Sequence, residues 1–500
     1  MISRLHPIST GSDWSFELVE RYEVEIGACA AEFGLDTYPN QIEIITSEQM
    51  LDAYASTGLP IGYQHWSYGK QFIANQQAYR KGQQGLAYEI VINSNPCIAY
   101  LMEENSMMMQ ALVIAHASYG HNSFFKGNYL FRQWTHADSI LDYMAFARRY
   151  VMDSEESHGL AAVEEMLDSC HALMNYGVHR YRRPAPLTPK AEEARGLERR
   201  ERARRQYNDL WRTLPAGRAP DATGQNISFP AEPEENILYF IEKFSPRLAP
   251  WQRELVRIVR KLSQYFYPQG QTKVMNEGWA TFWHYTLINR LYDKGLVNDG
   301  FMIEFLLSHT NVVGQRAFDQ SGYAGINPYA LGFSMMQDLR RICDKPEPED
   351  RRWFPDLAGA DWLRVLDFAM RNFKDESFIA QYLSPRLIRE FHLFAVADYE
   401  GKAELEIDSI HDDAGYERVR RLLSQQHQRD AQVPDIHVAR YDREGDRSLV
   451  LQYRKQRGRP LAGDQAKEVL KHVARLWGFR VLLESVREDG HVDACLECAA

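Results

Sequence analysis

Within ALVIAHASYGHNSFF, residues 111–125, His116 and His121 stand five apart on a mostly apolar stretch, with Gly120 between them. Two such imidazoles suit a zinc site, because neutral histidines must be held ~2.0 Å from the metal and shielded from competing water. Their spacing sets a geometric demand. In H-E-x-x-H the histidines are four apart and share a helical face, whereas five residues leave a pair about 140° apart round an ideal helix. A bulge, or a helix end at Gly120, is needed to converge them; otherwise they are core or capping histidines. Position 117, where H-E-x-x-H carries its general base, is Ala117, so a standard zinc-peptidase mechanism lacks the group that activates its water.

A second segment, KVMNEGWATFWHYTLINRLYDKG at 273–295, offers a carboxylate. Glu277 and His284 are seven apart and share a face that is otherwise aromatic and apolar. Burying a carboxylate there is costly unless it binds a metal or pairs with an arginine from elsewhere, and the sequence fits both. Two helical turns separate the groups by ~10.5 Å along the axis, so Glu277 is the expected ligand and His284 lies behind it or against a substrate. In VEEMLDSCHALMNYGVHRY, 163–181, Glu164, Asp168 and His171 fall at i, i+4 and i+7. They could orient His116 or His121, join a dimetal centre between helices, or form a buried polar network. The dimetal template fits poorly, since the Glu-x-x-His words it needs occur only at Glu155 to His158 and Glu488 to His491, both beside glycines.

These groups must be carried by surrounding elements. Residues 14–33 read as an amphipathic helix, 41–46 as a strand, 47–56 as a helix, and 86–93 as a β-rich run stopped by Ser-Asn-Pro. A helical pattern runs from Ala99 to Gly120, with further helices at 136–152, 159–180, 236–266, 273–294 and on to about 392. Residues 185–232 interleave Arg and Glu and then become rich in Pro and Gly, which reads as an exposed insertion with a solvated charged face. The last hundred residues read strand, strand, helix (416–428), strand (435–442), strand (447–455), helix (464–476), strand (479–486). That order suits a small α+β domain over 396–500, after a mainly α domain with a short sheet over 1–395. Cys495 and Cys498 fall in what reads as a frayed tail.

Strand, His-pair helix and a later helix with a ligand Glu is the order of the gluzincin metallopeptidases, so the helical domain is read as zincin-like. EGWA, and NPYALGFSMMQDLR at 327–340, resemble the ligand-Glu and Tyr-bearing helices of some of those enzymes. On that reading His116, His121 and Glu277 hold a divalent metal, expected to be zinc. Tyr329 and His284 are the groups left to stabilise an oxyanion or move a proton, with Glu164, Asp168 and His171 nearby. Glu103 and Glu104 precede the histidines by three turns and do not replace the missing base.

Composition narrows the function further. With 58 Lys plus Arg against 68 Asp plus Glu, the net charge of -10 argues against a general nucleic-acid binder. No apolar run reaches the ~20 residues of a membrane span, and the N-terminus lacks the apolar core of a secretory signal, so the cytoplasm is the expected compartment. Six scattered cysteines do not make a disulfide framework in 500 residues.

HWSYGK at 65–70, GLAYEIVINSNPCIAYLMEEN at 85–105, HASYGHNSFFKGN, EGWATFWHY, NPYALGF and LKHVARLWGF together resemble the SpoVR family, named for stage V sporulation protein R. The likeness runs over nearly the whole chain. It implies a cytoplasmic protein tied, in spore formers, to assembly of the peptidoglycan cortex. In other bacteria it implies a stress or stationary-phase role beside a PrkA-type serine protein kinase and a von Willebrand-like partner. The resemblance carries no activity with it. The readings from different classes are a metal-dependent hydrolase of peptide or peptidoglycan-derived amides with an atypical base, a catalytically inactive metal-stabilised scaffold for the kinase system, and, third, a dimetal redox protein.

Overall fold

A computed structural model of the chain describes residues 6–55, 62, 63, 65, 89–181, 191, 194, 198, 229, 230, 232–316, 320, 323, 325–394, 396, 397, 400–404, 406, 407, 412–428, 432–455 and 460–499. The 185–232 insertion, the word HWSYGK and the start of the run at 86 therefore lie wholly or mostly outside the described residues. The structure is mainly helical with small sheets, and it forms two compact units. One comprises Met1–Met152 and Tyr265–Asp430, the other Asp153–Gln264 and Ala431–Ala500, so residues 396–500 contribute to both.

In the first unit, strands β1 (Asn40–Ile45), β2 (Glu89–Ile92) and β3 (Cys97–Met102) form a sheet in the order β1-β3-β2. β3 runs parallel to β1 and antiparallel to β2, leaving β2 at an edge. All six residues of β3 are buried. That corrects the helical reading from Ala99 onward: an apolar run buried on both faces shows no period that separates strand from helix. The helix starts later, at Met107, where the Ser106 side chain caps it by accepting from Met109 N–H. The reading of one helix over 236–266 also divides, into Ile237–Phe244 and Pro250–Gln271, across the Ser-Pro turn at 245–246.

Packed against the segment 114–121, which itself lies on β2 and β3, is a central helix, Lys273–Asp293, hereafter the Glu277 helix, whose aromatic residues face the core nearly all round. Its first turn is held by another helix, since both carboxylate oxygens of Asp375 accept backbone N–H bonds at 2.8 Å, from Val274 and Met275. A negative side chain there satisfies N–H groups that no helical carbonyl can reach. The helix Pro328–Asp344, bearing Tyr329, crosses the Glu277 helix at Gly278 and Gly332, where a Cβ on Gly278 would strike the Gly332 backbone.

The second unit contains a four-stranded sheet, Asp435–Tyr441, Leu449–Arg454, Val481–Val486 and Val492–Cys498, paired in that order. The middle pair is parallel and the outer pairs antiparallel. The helix Gly463–Trp477 makes the crossover and ends at Gly478, whose φ of 80° suits a residue without a Cβ. Its last carbonyls, Leu476 and Trp477, accept from Ser245 Oγ. The tail bearing Cys495 and Cys498 is a paired strand, not a frayed end, and the odd spacing puts the two thiols on opposite faces.

Candidate metal centre

His116 and His121 converge because the helix between them is not an α-helix. Ile114–His121 is a π-helix, and the N–H of Asn122 bonds back to the carbonyl of Ala117, five residues earlier. A π turn takes roughly one residue more than an α turn, so residues five apart come back nearly into line. The two imidazoles meet edge to face with centroids 4.7 Å apart. This is the bulge that the spacing demanded.

Two carboxylates face the pair. Glu277 Oε2 lies 3.5 Å from His121 Nε2 and 3.9 Å from His116 Nε2. The other comes from Glu89, the first residue of edge strand β2, with Oε1 3.3 Å from His116 Nε2 and 3.8 Å from His121 Nε2. Glu89, His116 and His121 each offer one donor atom within 4.8 Å of the others, as a metal site requires. Glu277 Oε2 is buried and takes no hydrogen bond among the described residues. A carboxylate oxygen in that state is costly in a protein interior.

The outer edges of both rings are held. Asn276 Oδ1 lies 2.9 Å from His121 Nδ1, and an amide oxygen only accepts, so His121 carries its proton on Nδ1 and turns the Nε2 lone pair to the carboxylates. His116 Nδ1 lies 2.9 Å from His284 Nδ1, and His284 Nε2 lies 2.8 Å from His309 Nδ1. Tyr329 lays its ring nearly parallel to that of His116, centroids 6.4 Å apart.

Electrostatics follow from burial. Desolvation pushes the Glu89 carboxyl well above the ordinary range, and the neighbouring Glu277 adds to it. Desolvation likewise holds His116 and His284 well below the usual histidine value, helped by the surrounding imidazoles, and brings His309 down to about 4. The site gathers imidazole nitrogens and two carboxyl groups with no lysine or arginine among the contacts described. A divalent cation suits that donor set.

Of the residues singled out by sequence, His116, His121, Glu277, His284 and Tyr329 are brought together. Glu164, Asp168 and His171 are not part of this cluster. They lie on Leu160–Ala172 in the second unit, where burial and Arg475 hold His472 below the usual histidine value and Asp168 partly opposes them. Glu89, Asn276 and His309 were missed. An isolated Glu opening an apolar strand, and an Asn directly before a half-buried Glu, were the available signals.

Family models match nearly the whole chain: that of SpoVR like protein over residues 13–432 and that of the SpoVR-like C-terminal domain over residues 434–488. The chain is 57% identical over 491 residues to the uncharacterized protein YcgB of Escherichia coli (strain K12), covering 98% of this chain and 96% of that one. No solved structure matches. On the extent of these matches, the chain belongs to the SpoVR family.

Proposed function

We propose that the protein is a metal-dependent hydrolase of amide bonds in peptides or peptidoglycan fragments. In this reading His116, His121 and Glu277 hold a divalent ion, expected to be zinc, in a zincin-like helical domain. When bound, the ion supplies Lewis acidity toward a carbonyl oxygen and an attacking water. Glu89 then takes the role that Ala117 leaves vacant. It reaches the histidine pair from the edge strand instead of from the histidine helix, and its carboxylate accepts the proton of the attacking water and delivers it to the leaving amine. Tyr329, whose ring lies beside that of His116, would donate a hydrogen bond to the developing oxyanion.

The observation that carries this reading is the position of Glu89 Oε1 beside both imidazole Nε2 atoms. Metal content and amide hydrolysis are measured together on Glu277→Ala and Glu89→Gln. Glu277→Ala should lose the metal, while Glu89→Gln keeps it and loses hydrolysis. Loss of metal from neither variant sinks the ligand assignment.

A second reading is favoured by Ala117, which leaves the histidine helix without a base. The centre is then structural, and the protein is a cytoplasmic scaffold for a PrkA-type kinase and a von Willebrand-like partner in sporulation or stress physiology. Full metal content with no hydrolysis by the wild type, and melting lowered by a chelator, would favour it. Among the described residues no helix is long and apolar enough to cross a membrane.

A further inference from the structure

Resting on the reading of His116 as a ligand, we propose that His284 and His309 are positioning residues: a one-way chain of neutral imidazoles that fixes the tautomer of His116. His121 has a conventional orienter, the amide oxygen of Asn276. His116 faces another imidazole instead, and an imidazole nitrogen can either donate or accept. The direction is set by the ligand role: His116 Nε2 faces Glu89 and Glu277 and gives its lone pair to the ion, which places the His116 proton on Nδ1.

The remaining protons follow by elimination. His284 Nδ1 accepts from His116, so its own proton is on Nε2, which donates to His309 Nδ1 at 2.8 Å. His309 then carries its proton on Nε2. Each ring then has one N–H and one lone pair, and the His116 Nε2 lone pair is turned toward the ion that Glu89 and Glu277 would also face. His309 is held by the rings of Tyr285 and Phe333, with centroids 4.9 and 4.8 Å away, so the far end of the chain is fixed by packing. The helix Asp299–Val312 thereby acts on His116 through His284.

The test is long-range proton–nitrogen NMR of the full chain labelled with 15N-histidine and loaded with zinc, assigned by the variants His309→Phe and His284→Phe. Protonation of His116 and His121 on Nδ1, and of His284 and His309 on Nε2, is expected. His309 protonated on Nδ1 overturns the proposal, because the chain would then run the other way. In zinc titration of the metal-free proteins, His284→Phe should bind on the order of 10–100-fold more weakly and His309→Phe less so. Unchanged affinity in both variants overturns the positioning role. If the wild type takes up no zinc, the ligand reading of His116 fails and the chain falls with it, whereas zinc uptake with His309 protonated on Nδ1 overturns the chain alone.

Discussion

Gly120 in the π-helix lies directly against Ala280 in the Glu277 helix: a Cβ on residue 120 would sit 2.6 Å from Ala280 Cα. The two helices that carry the candidate ligands touch here through backbone. Gly120→Ala should therefore separate them, lower stability by roughly 1–3 kcal/mol and reduce metal retention. Thermal melting and metal analysis on one sample read both effects, and an unchanged melting temperature would remove this contact from the account.

Ala117→Glu should not restore a zincin. The Ala117 side chain is fully buried in the main core of the first unit, so a carboxylate there meets apolar neighbours instead of the ligand cluster. The expected outcome is a loss of several kcal/mol, seen as a lower denaturant midpoint, with no gain of amide hydrolysis. A stable, hydrolytically improved variant would show that the residue reaches the site.

Asn276→Leu keeps the volume of the side chain but removes the acceptor of the His121 Nδ1 proton. Zinc affinity should fall on the order of 10–100-fold, measured by competition with a chromogenic chelator. Affinity equal to wild type would mean that His121 needs no orienter.

In the second unit, Glu242 is buried among Lys243, Arg257 and Arg260, at 2.8, 3.1 and 2.8 Å. Burial alone would raise its carboxyl, but Arg260 and the hydrogen bonds from all three bases hold it below the ordinary value. Because the folded value is depressed, this stabilisation is complete above the unfolded value of ~4.3 and disappears as pH falls through the folded one. Glu242→Gln should cost roughly 1–3 kcal/mol near neutrality, discounted for partly exposed partners. The difference from wild type should shrink below about pH 4, which urea midpoints across pH can check.

Much of the site was legible because its chemistry is concentrated in two words. His116, His121 and Glu277 are ligand-type residues on mostly apolar helical stretches, and burial of such groups signals a purpose. The convergence of the histidines was not legible, since periodicity arguments assume 3.6 residues per turn and the segment adopts a wider one. Glu89 was hidden differently. It lies 27 residues before His116 in the chain and reaches it only through the pairing of β2 with β3, a tertiary relation that no local pattern encodes. The same holds for β3 itself, where complete burial erased the alternation that identifies a half-exposed strand.

A helix whose ends are locked by packing cannot absorb an inserted residue by rotating everything downstream, because each added residue would swing the following side chains by about 100°. A wider turn takes up the extra length locally. The segment from His116 to His121 has the form of a four-spaced pair lengthened by one residue, with the facing of both imidazoles preserved. On the proposed reading, insertion is a route by which a metal-binding helix can keep its ligands while the position of its base is turned into the core, and the base comes instead from a neighbouring strand. Deleting Ser118 is the corresponding reversal: the segment should return to α geometry with His116 and the former His121 four apart and still facing Glu277.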